Sequence, residues 1–239
     1  MIKATVFIPC FVDLFYPEVG VRTVQILERL GHQVDFREEA VCCGQPPFNS
    51  GLHEEARKIA TRTLRALERS SVIIVPSASC AAMLKIFMPR LFEGYPEYDL
   101  AVEIRDNVYE ISDYLVNHLG VVDLGARLKG RAVFHDGCHG LRELGLKRPP
   151  RELLRKVKEL ELVEASDAEM CCGFGGTFAV RFPELSTCMA EAKCATARDL
   201  EVDFIISCDS SCLMHLQSSL RYHRSSITTL HLVEVLASR

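Results

Sequence analysis

Apolar positions along the chain switch between strand-like runs and helical spacing, and the order of the switches occurs twice. Residues 4–9 are a strand-like run that ends at Pro9-Cys10. A helix is expected from about Pro17, with Val21, Val24 and Leu27 on one face and Gly31 suited to its C′ position. Val34, Asp35 and Phe36 predict a second strand leading to Cys42-Cys43-Gly44. Residues 52–70 predict an amphipathic helix whose stripe is Leu52, Ala56, Ile59, Ala60, Thr63, Leu64 and Leu67. Residues 72–75 are wholly apolar, as in a strand buried on both faces, and run into Pro76-Ser77-Ala78-Ser79-Cys80 before a short helix.

The second half replays this order. Ala132, Val133 and Phe134 run into His135-Asp136-Gly137-Cys138. Pro150 suits the first turn of a helix, and residues 160–163 predict a strand before Cys171-Cys172-Gly173. Leu185, Met189 and Ala192 mark another amphipathic helix, and residues 204–206 a strand that ends near Cys208 and Cys212. Residues 108–118 read as a helix closing the first half, and residues 230–236 resemble them. Alternating strands and helices predict an α/β fold of two pseudo-symmetric repeats, 1–120 and 121–239, with parallel β-sheets flanked by helices. The cysteines then fall at the C-terminal ends of strands, where open α/β sheets place ligands.

Composition narrows the field. Across 239 residues, 48% hydrophobic and 25% charged content is ordinary for a globular protein. A net charge of −4 favours neither nucleic acid nor an anionic membrane surface. Met1 leads straight into a strand-like run, and no apolar stretch approaches a membrane span, so a cytoplasmic protein is expected. In that compartment eleven cysteines point to metal or redox chemistry rather than disulfides.

The cysteines form two sets, Cys10, Cys42, Cys43, Cys80 and Cys138, Cys171, Cys172, Cys212, at offsets of 128 to 132 residues. Within each set, 31 or 32 residues separate the first cysteine from the pair, and 36 to 39 separate the pair from the last. Iron–sulfur clusters need several thiolates around a compact inorganic core. A vicinal pair can serve two corners only where the backbone bends sharply, and Gly44 and Gly173 supply that bend. The glycine-rich run at 173–176 suits backbone N–H groups aimed at sulfur. Zinc is the alternative, but structural zinc sites favour short Cys-x2–4-Cys knuckles, unlike these long gaps.

The remaining candidates carry less. Cys208 is a candidate fifth ligand of the second site, and Asp209 an alternative oxygen ligand. Cys188 shares a helix face with Leu185 and Met189 and reads as core packing, while Cys194 reads as inert. His135, His139 and His215 read as hydrogen-bonding or surface histidines rather than ligands, and Asp136 as a turn cap.

At these residues the chain resembles the cysteine-rich CCG domain family. The resemblance spans both repeats and rests on residues 134–145 (FHDGCHGLRELG), 171–178 (CCGFGGTF), 76–83 (PSASCAAM) and 212–214 (CLM). Members include iron–sulfur subunits of heterodisulfide reduction, of glycolate and anaerobic glycerol-3-phosphate oxidation, and of lactate utilisation; this chain is most similar to the last. The resemblance implies an electron-transfer subunit of a multiprotein L-lactate oxidising system, a component of an oxidoreductase that is not catalytic alone. Two clusters, [4Fe–4S] in type, are implied, with lactate-utilisation B-like and C-like partner proteins and an electron carrier. One departure matters. The family's terminal Cys-x-x-Cys begins here with Ser77 in the first half and Asp209 in the second. The non-cubane cluster of the heterodisulfide relatives uses that extra cysteine, so its loss favours an ordinary cubane and electron relay over disulfide chemistry.

Overall fold

Four short strands, β1 (Lys3–Val6), β2 (Gln33–Phe36), β3 (Ile73–Val75) and β4 (Val108–Glu110), form one all-parallel sheet in the order β2-β1-β3-β4. In the second half β5 (Arg127–Phe134), β6 (Lys158–Val163), β7 (Phe204–Ser207) and β8 (Thr228–His231) repeat that order as β6-β5-β7-β8. This computed structural model describes residues 2–239. Two compact units divide at Tyr114/Leu115, where the sequence reading put the division at 120/121.

Helices cover the sheets. In the first unit the α-helices are α1 (Cys10–Phe15), α2 (Pro17–Arg29), α3 (Gln45–Asn49), α4 (His53–Leu67), α5 (Ala78–Ala82), α6 (Met88–Leu91), α7 (Tyr98–Asn107) and α8 (Ile111–Asp113), with a π-helical segment at Met83–Phe87. In the second they are α9 (Cys138–Leu144), α10 (Arg148–Leu154), α11 (Thr177–Arg181), α12 (Pro183–Asp199), α13 (Ser210–Tyr222) and α14 (Leu232–Ala237). Parallel strands need such crossovers, and burial on both faces explains why β3 is Ile-Ile-Val with no alternation. The first core gathers Phe7, Ile26, Leu64, Ile74, Met83 and Ile104; the second gathers Val133, Ile205, Leu216 and Leu220 with Cys172 and Cys194. Among the described residues no helix is long and apolar enough to cross a membrane.

Each sheet has one switch point. From the first strand of each unit the chain crosses to one neighbour, β2 or β6, then returns to the opposite side for β3 or β7. Loops leaving adjacent strands at such a point diverge, and the crevice between them is the ligand position of open α/β sheets. The two units match residue by residue there. Val6 pairs with Ile74 and Phe134 with Ile206. The next N–H donates across the ladder in both cases, Phe7 to the Ile74 carbonyl at 3.0 Å and His135 to the Ile206 carbonyl at 2.8 Å.

Three expectations need correction. In α2 the buried face is Val19, Thr23, Ile26 and Leu27, and Val21 is exposed. Apolar residues lie on two faces of that helix, and the Thr23 hydroxyl turns inward by donating to the Val19 carbonyl at 2.7 Å. Residues 108–110 and 228–231 are the edge strands β4 and β8, so each closing segment is a strand followed by a helix. Runs this short carry no period. In α12 the buried face is Ser186, Ala190, Lys193, Cys194 and Ala197, while Leu185 is exposed and Met189 only half-buried. Cys188 is therefore an exposed residue and Cys194 a core one, the reverse of the emphasis in the sequence reading. Small side chains let α12 lie close against α13 and the sheet, and size outweighed hydrophobicity in choosing its inner face.

Candidate functional site

The four predicted cysteines of each unit meet at its switch point. Cys10 and Cys138 open the first turns of α1 and α9, and Cys80 and Cys212 lie in the first turns of α5 and α13. The vicinal pairs arrive on the loops after β2 and β6. In the first unit the Cys10 and Cys42 sulfurs are 3.6 Å apart and those of Cys43 and Cys80 are 3.3 Å apart. Interaction between Cys42 and Cys43 links these into one chain of four thiols. In the second unit Cys138, Cys171, Cys172 and Cys212 are linked in the same order.

Each pair turns on its glycine. Gly44 has φ of +83° and Gly173 of +89°, in the left-handed region. A Cβ on Gly173 would sit 2.7 Å from the Ser186 carbonyl, and one on Gly44 would sit 3.0 Å from that of Ala56. The turns are pinned by polar residues on the inner faces of the adjoining helices. Thr63 on α4 donates to the Cys42 carbonyl at 2.7 Å, and Ser186 on α12 donates to the Gly173 carbonyl at 2.8 Å. Ser186 also lies 3.0 Å from His215 Nε2. Sequence pattern placed Thr63 in an apolar stripe and gave no sign of Ser186.

The electrostatics differ within each chain of thiols. Cys42 is pushed down to about 3 by hydrogen bonds from the Cys10 and Cys43 thiols and from the Gly44 N–H. Cys171 is likewise pushed down to about 2 by Cys138, Cys172 and the Gly173 N–H. The neighbouring Cys10, Cys43, Cys138 and Cys172 are pushed up, by donating to these thiolates and by burial. Backbone donors reach the sulfurs directly: Gly44 N–H to Cys42 at 3.5 Å, Gly173 N–H to Cys171 at 3.4 Å and Phe174 N–H to Cys172 at 3.5 Å.

The positions of the absent terminal cysteines differ between units. Ser77 is the N-cap of α5, its hydroxyl accepting from the Cys80 N–H at 3.4 Å. Asp209 is the N-cap residue of α13, and its carboxylate acts on the Cys138 thiol. A Cβ on Gly137 would lie 2.7 Å from that carboxylate, so the larger Asp209 needs glycine where the first unit has Pro9. Cys208 is buried.

Two residues have surroundings that the sequence did not specify. Asp136 is not a turn cap: both its oxygens accept from Arg151 at 2.8 Å, in a buried pair that ties the Cys138 loop to α10. The Arg151 guanidinium also reaches Glu164 at 2.9 Å and lies 5.3 Å from the Phe134 ring centroid. His135 is the second. Its ring is buried, and its nearest ligating nitrogen, Cys172 Sγ and Cys212 Sγ lie within 4.8 Å of one another. Apolar side chains near the cysteines in the chain are exposed: Leu14 and Phe15 on α1 and Val41 beside Cys42 in the first unit, Met170 beside Cys171 and, on and just after α11, Val180 and Phe182 in the second.

The donor set fits an iron–sulfur cluster. Each quartet is all thiol, is gathered from three loops onto one sheet edge, and has backbone N–H groups directed at sulfur. Fold and site together define a class: duplicated parallel α/β proteins with a thiol quartet at each switch point. The chain belongs to the cysteine-rich domain (CCG) family, which matches it twice, at residues 4–85 and 132–217. It is 42% identical to lactate utilization protein A of Geobacillus sp. (strain WCH70) across 99% of this chain and 100% of that one. It is 41% identical to lactate utilization protein A of Bacillus velezensis (strain DSM 23117 / BGSC 10A6 / LMG 26770 / FZB42), across 99% and 100%. Among solved structures, a hypothetical protein from Helicobacter pylori superposes with a TM-score of 0.68 at 11% identity, covering 98% of this chain. The chain spans 48% of that protein's length, and the likeness is one of fold.

Proposed function

We propose that the chain is an iron–sulfur electron-transfer subunit of a multiprotein system that oxidises L-lactate to pyruvate. The carrying observation is the pair of thiol quartets, one at the switch point of each sheet. Full-length relatives that share about two residues in five with it are named for lactate utilization, which supports the substrate class. Cys10, Cys42, Cys43 and Cys80 would hold one cluster, and Cys138, Cys171, Cys172 and Cys212 the other. When bound, a [4Fe–4S] centre supplies a one-electron donor and acceptor.

The residues of the chain then do three things. Backbone N–H groups of Gly44, Gly173 and Phe174 donate to the Cys42, Cys171 and Cys172 sulfurs. Burial of Cys43, Cys80, Cys172 and Cys212 excludes water from the inner half of each site, while half-buried Cys10, Cys42, Cys138 and Cys171 lie toward solvent. The exposed apolar residues near the cysteines in the chain suit contact with partner proteins, here B-like and C-like lactate-utilisation proteins and an electron carrier. Anaerobic reconstitution with such partners tests the proposal. Pyruvate should form from L-lactate with the complete set, and not when Cys172→Ser replaces the native chain. Full turnover with that variant, or a colourless chain holding stoichiometric zinc, would overturn it.

A further inference from the structure

The two quartets share a backbone frame but not their surroundings. The strand registers equate Phe7 with His135, and with it Phe11 with His139. Cys80 and Cys212 take the same place in the first turns of α5 and α13, which equates Met83 with His215. Three apolar side chains beside the first site are thus three imidazoles beside the second. His139 Nδ1 lies 3.7 Å from Cys138 Sγ, and His215 Nε2 bonds the Ser186 hydroxyl that pins the Cys171-Cys172-Gly173 turn. The second site also has the Phe174 N–H directed at Cys172.

His135 differs from its two companions because it is buried with nothing to bond. Its ring is 2% exposed, and among the described residues neither Nδ1 nor Nε2 has a hydrogen-bond partner. Such a group carries a desolvation cost unless a partner arrives. The facing atoms are the Cys172 and Cys212 sulfurs, the inner pair of the quartet. In either protonation state an imidazole has at least one N–H to give. Four thiols already supply four corners, and the other ring nitrogen lacks the carbonyl or carboxylate that usually orients a ligating histidine.

We infer that His135 is a positioning residue that donates its N–H to the Cys172 and Cys212 sulfurs of the loaded second site, giving that centre a higher reduction potential than the first. The inference rests on the proposed cluster binding and adds to it a built-in difference between the two centres. Donation to a thiolate ligand withdraws charge from the metal and favours the reduced state, and the phenyl of Phe7 cannot do this.

The test is an EPR-monitored redox titration of the anaerobically loaded chain beside His135→Phe, His135→Leu and His135→Gln, with iron and sulfide measured on each sample. Phe is the first unit's own residue at this place, Leu is a smaller donor-free replacement, and Gln keeps an N–H. The native chain should show two separated midpoints. The higher one should shift down toward the lower in the Phe or Leu variant and recover in the Gln variant, with iron content unchanged and the lower midpoint fixed. Unmoved midpoints in a donor-free variant would overturn the inference while leaving cluster binding intact. Loss of half the iron there would overturn it in favour of direct ligation. A native chain that takes up no iron and sulfide overturns the proposed function together with this inference.

Discussion

At Gly44 and Gly173 the chain turns with positive φ, and the backbone of an adjoining helix occupies the space a side chain would need. A left-handed conformation costs a non-glycine residue about 1–2 kcal/mol, and forced overlap in a packed site adds about 1–3 kcal/mol. Gly31 has φ of +81° but nothing within 4 Å of its Cβ position, so it isolates the backbone contribution. Gly173→Ala should therefore lower stability by about 2–5 kcal/mol and Gly31→Ala by about 1–2 kcal/mol. Urea unfolding followed by circular dichroism measures both, and equal losses would contradict the packing argument. At this scale the sequence was informative about the eight cysteines and the two glycines, because a repeated spacing survives without coordinates. It placed His135 among hydrogen-bonding or surface histidines without showing what the ring faces, misread Asp136 as a turn cap, and gave no sign of Ser186. Their roles depend on partners brought in from other strands and helices, and no local pattern encodes which way a buried polar side chain faces.

Helix α12 illustrates how an element can be legible in extent but not in orientation. Its apolar residues Leu185, Met189 and Ala192 do share a face, but the sheet and α13 take the face with Ala190, Cys194 and Ala197 instead. Maleimide labelling of the native chain with mass-spectrometric mapping should modify exposed Cys188 and spare Cys194, which is 0% exposed, until the protein is unfolded. Protection of Cys188 would restore the original face. Helix α10 is held differently, by Arg151 reaching into the loop between β5 and Cys138. Removing one partner of a buried ion pair costs about 3–5 kcal/mol, because the other charge is stranded. Arg151→Met should lose about that much, and adding Asp136→Leu should restore part of it rather than add to it. Additive losses in a double-mutant cycle would show that the pair does not act as a unit. The short edge strands β4 and β8 were missed because three or four residues are too few to show a period.

Across the whole molecule the same strand order, crossovers and cysteine placement occur twice, and this duplication was legible because spacing and hydrophobic order repeat together. What the duplication concealed is that the copies have diverged around their sites: phenylalanine, methionine and serine in the first correspond to histidine and aspartate in the second. Two independent sites predict independent losses, since thiolate ligation is coupled to local folding. Cys43→Ser should remove one cluster and leave the second unit loaded, and Cys172→Ser should do the converse. The most direct measurement of the central claim is iron and acid-labile sulfide per chain after anaerobic isolation, on the native protein and on these two variants. The account predicts about eight irons and eight sulfides for the native chain and about four of each for either variant. Stoichiometric zinc without sulfide, or loss of all the iron from a single substitution, would contradict it.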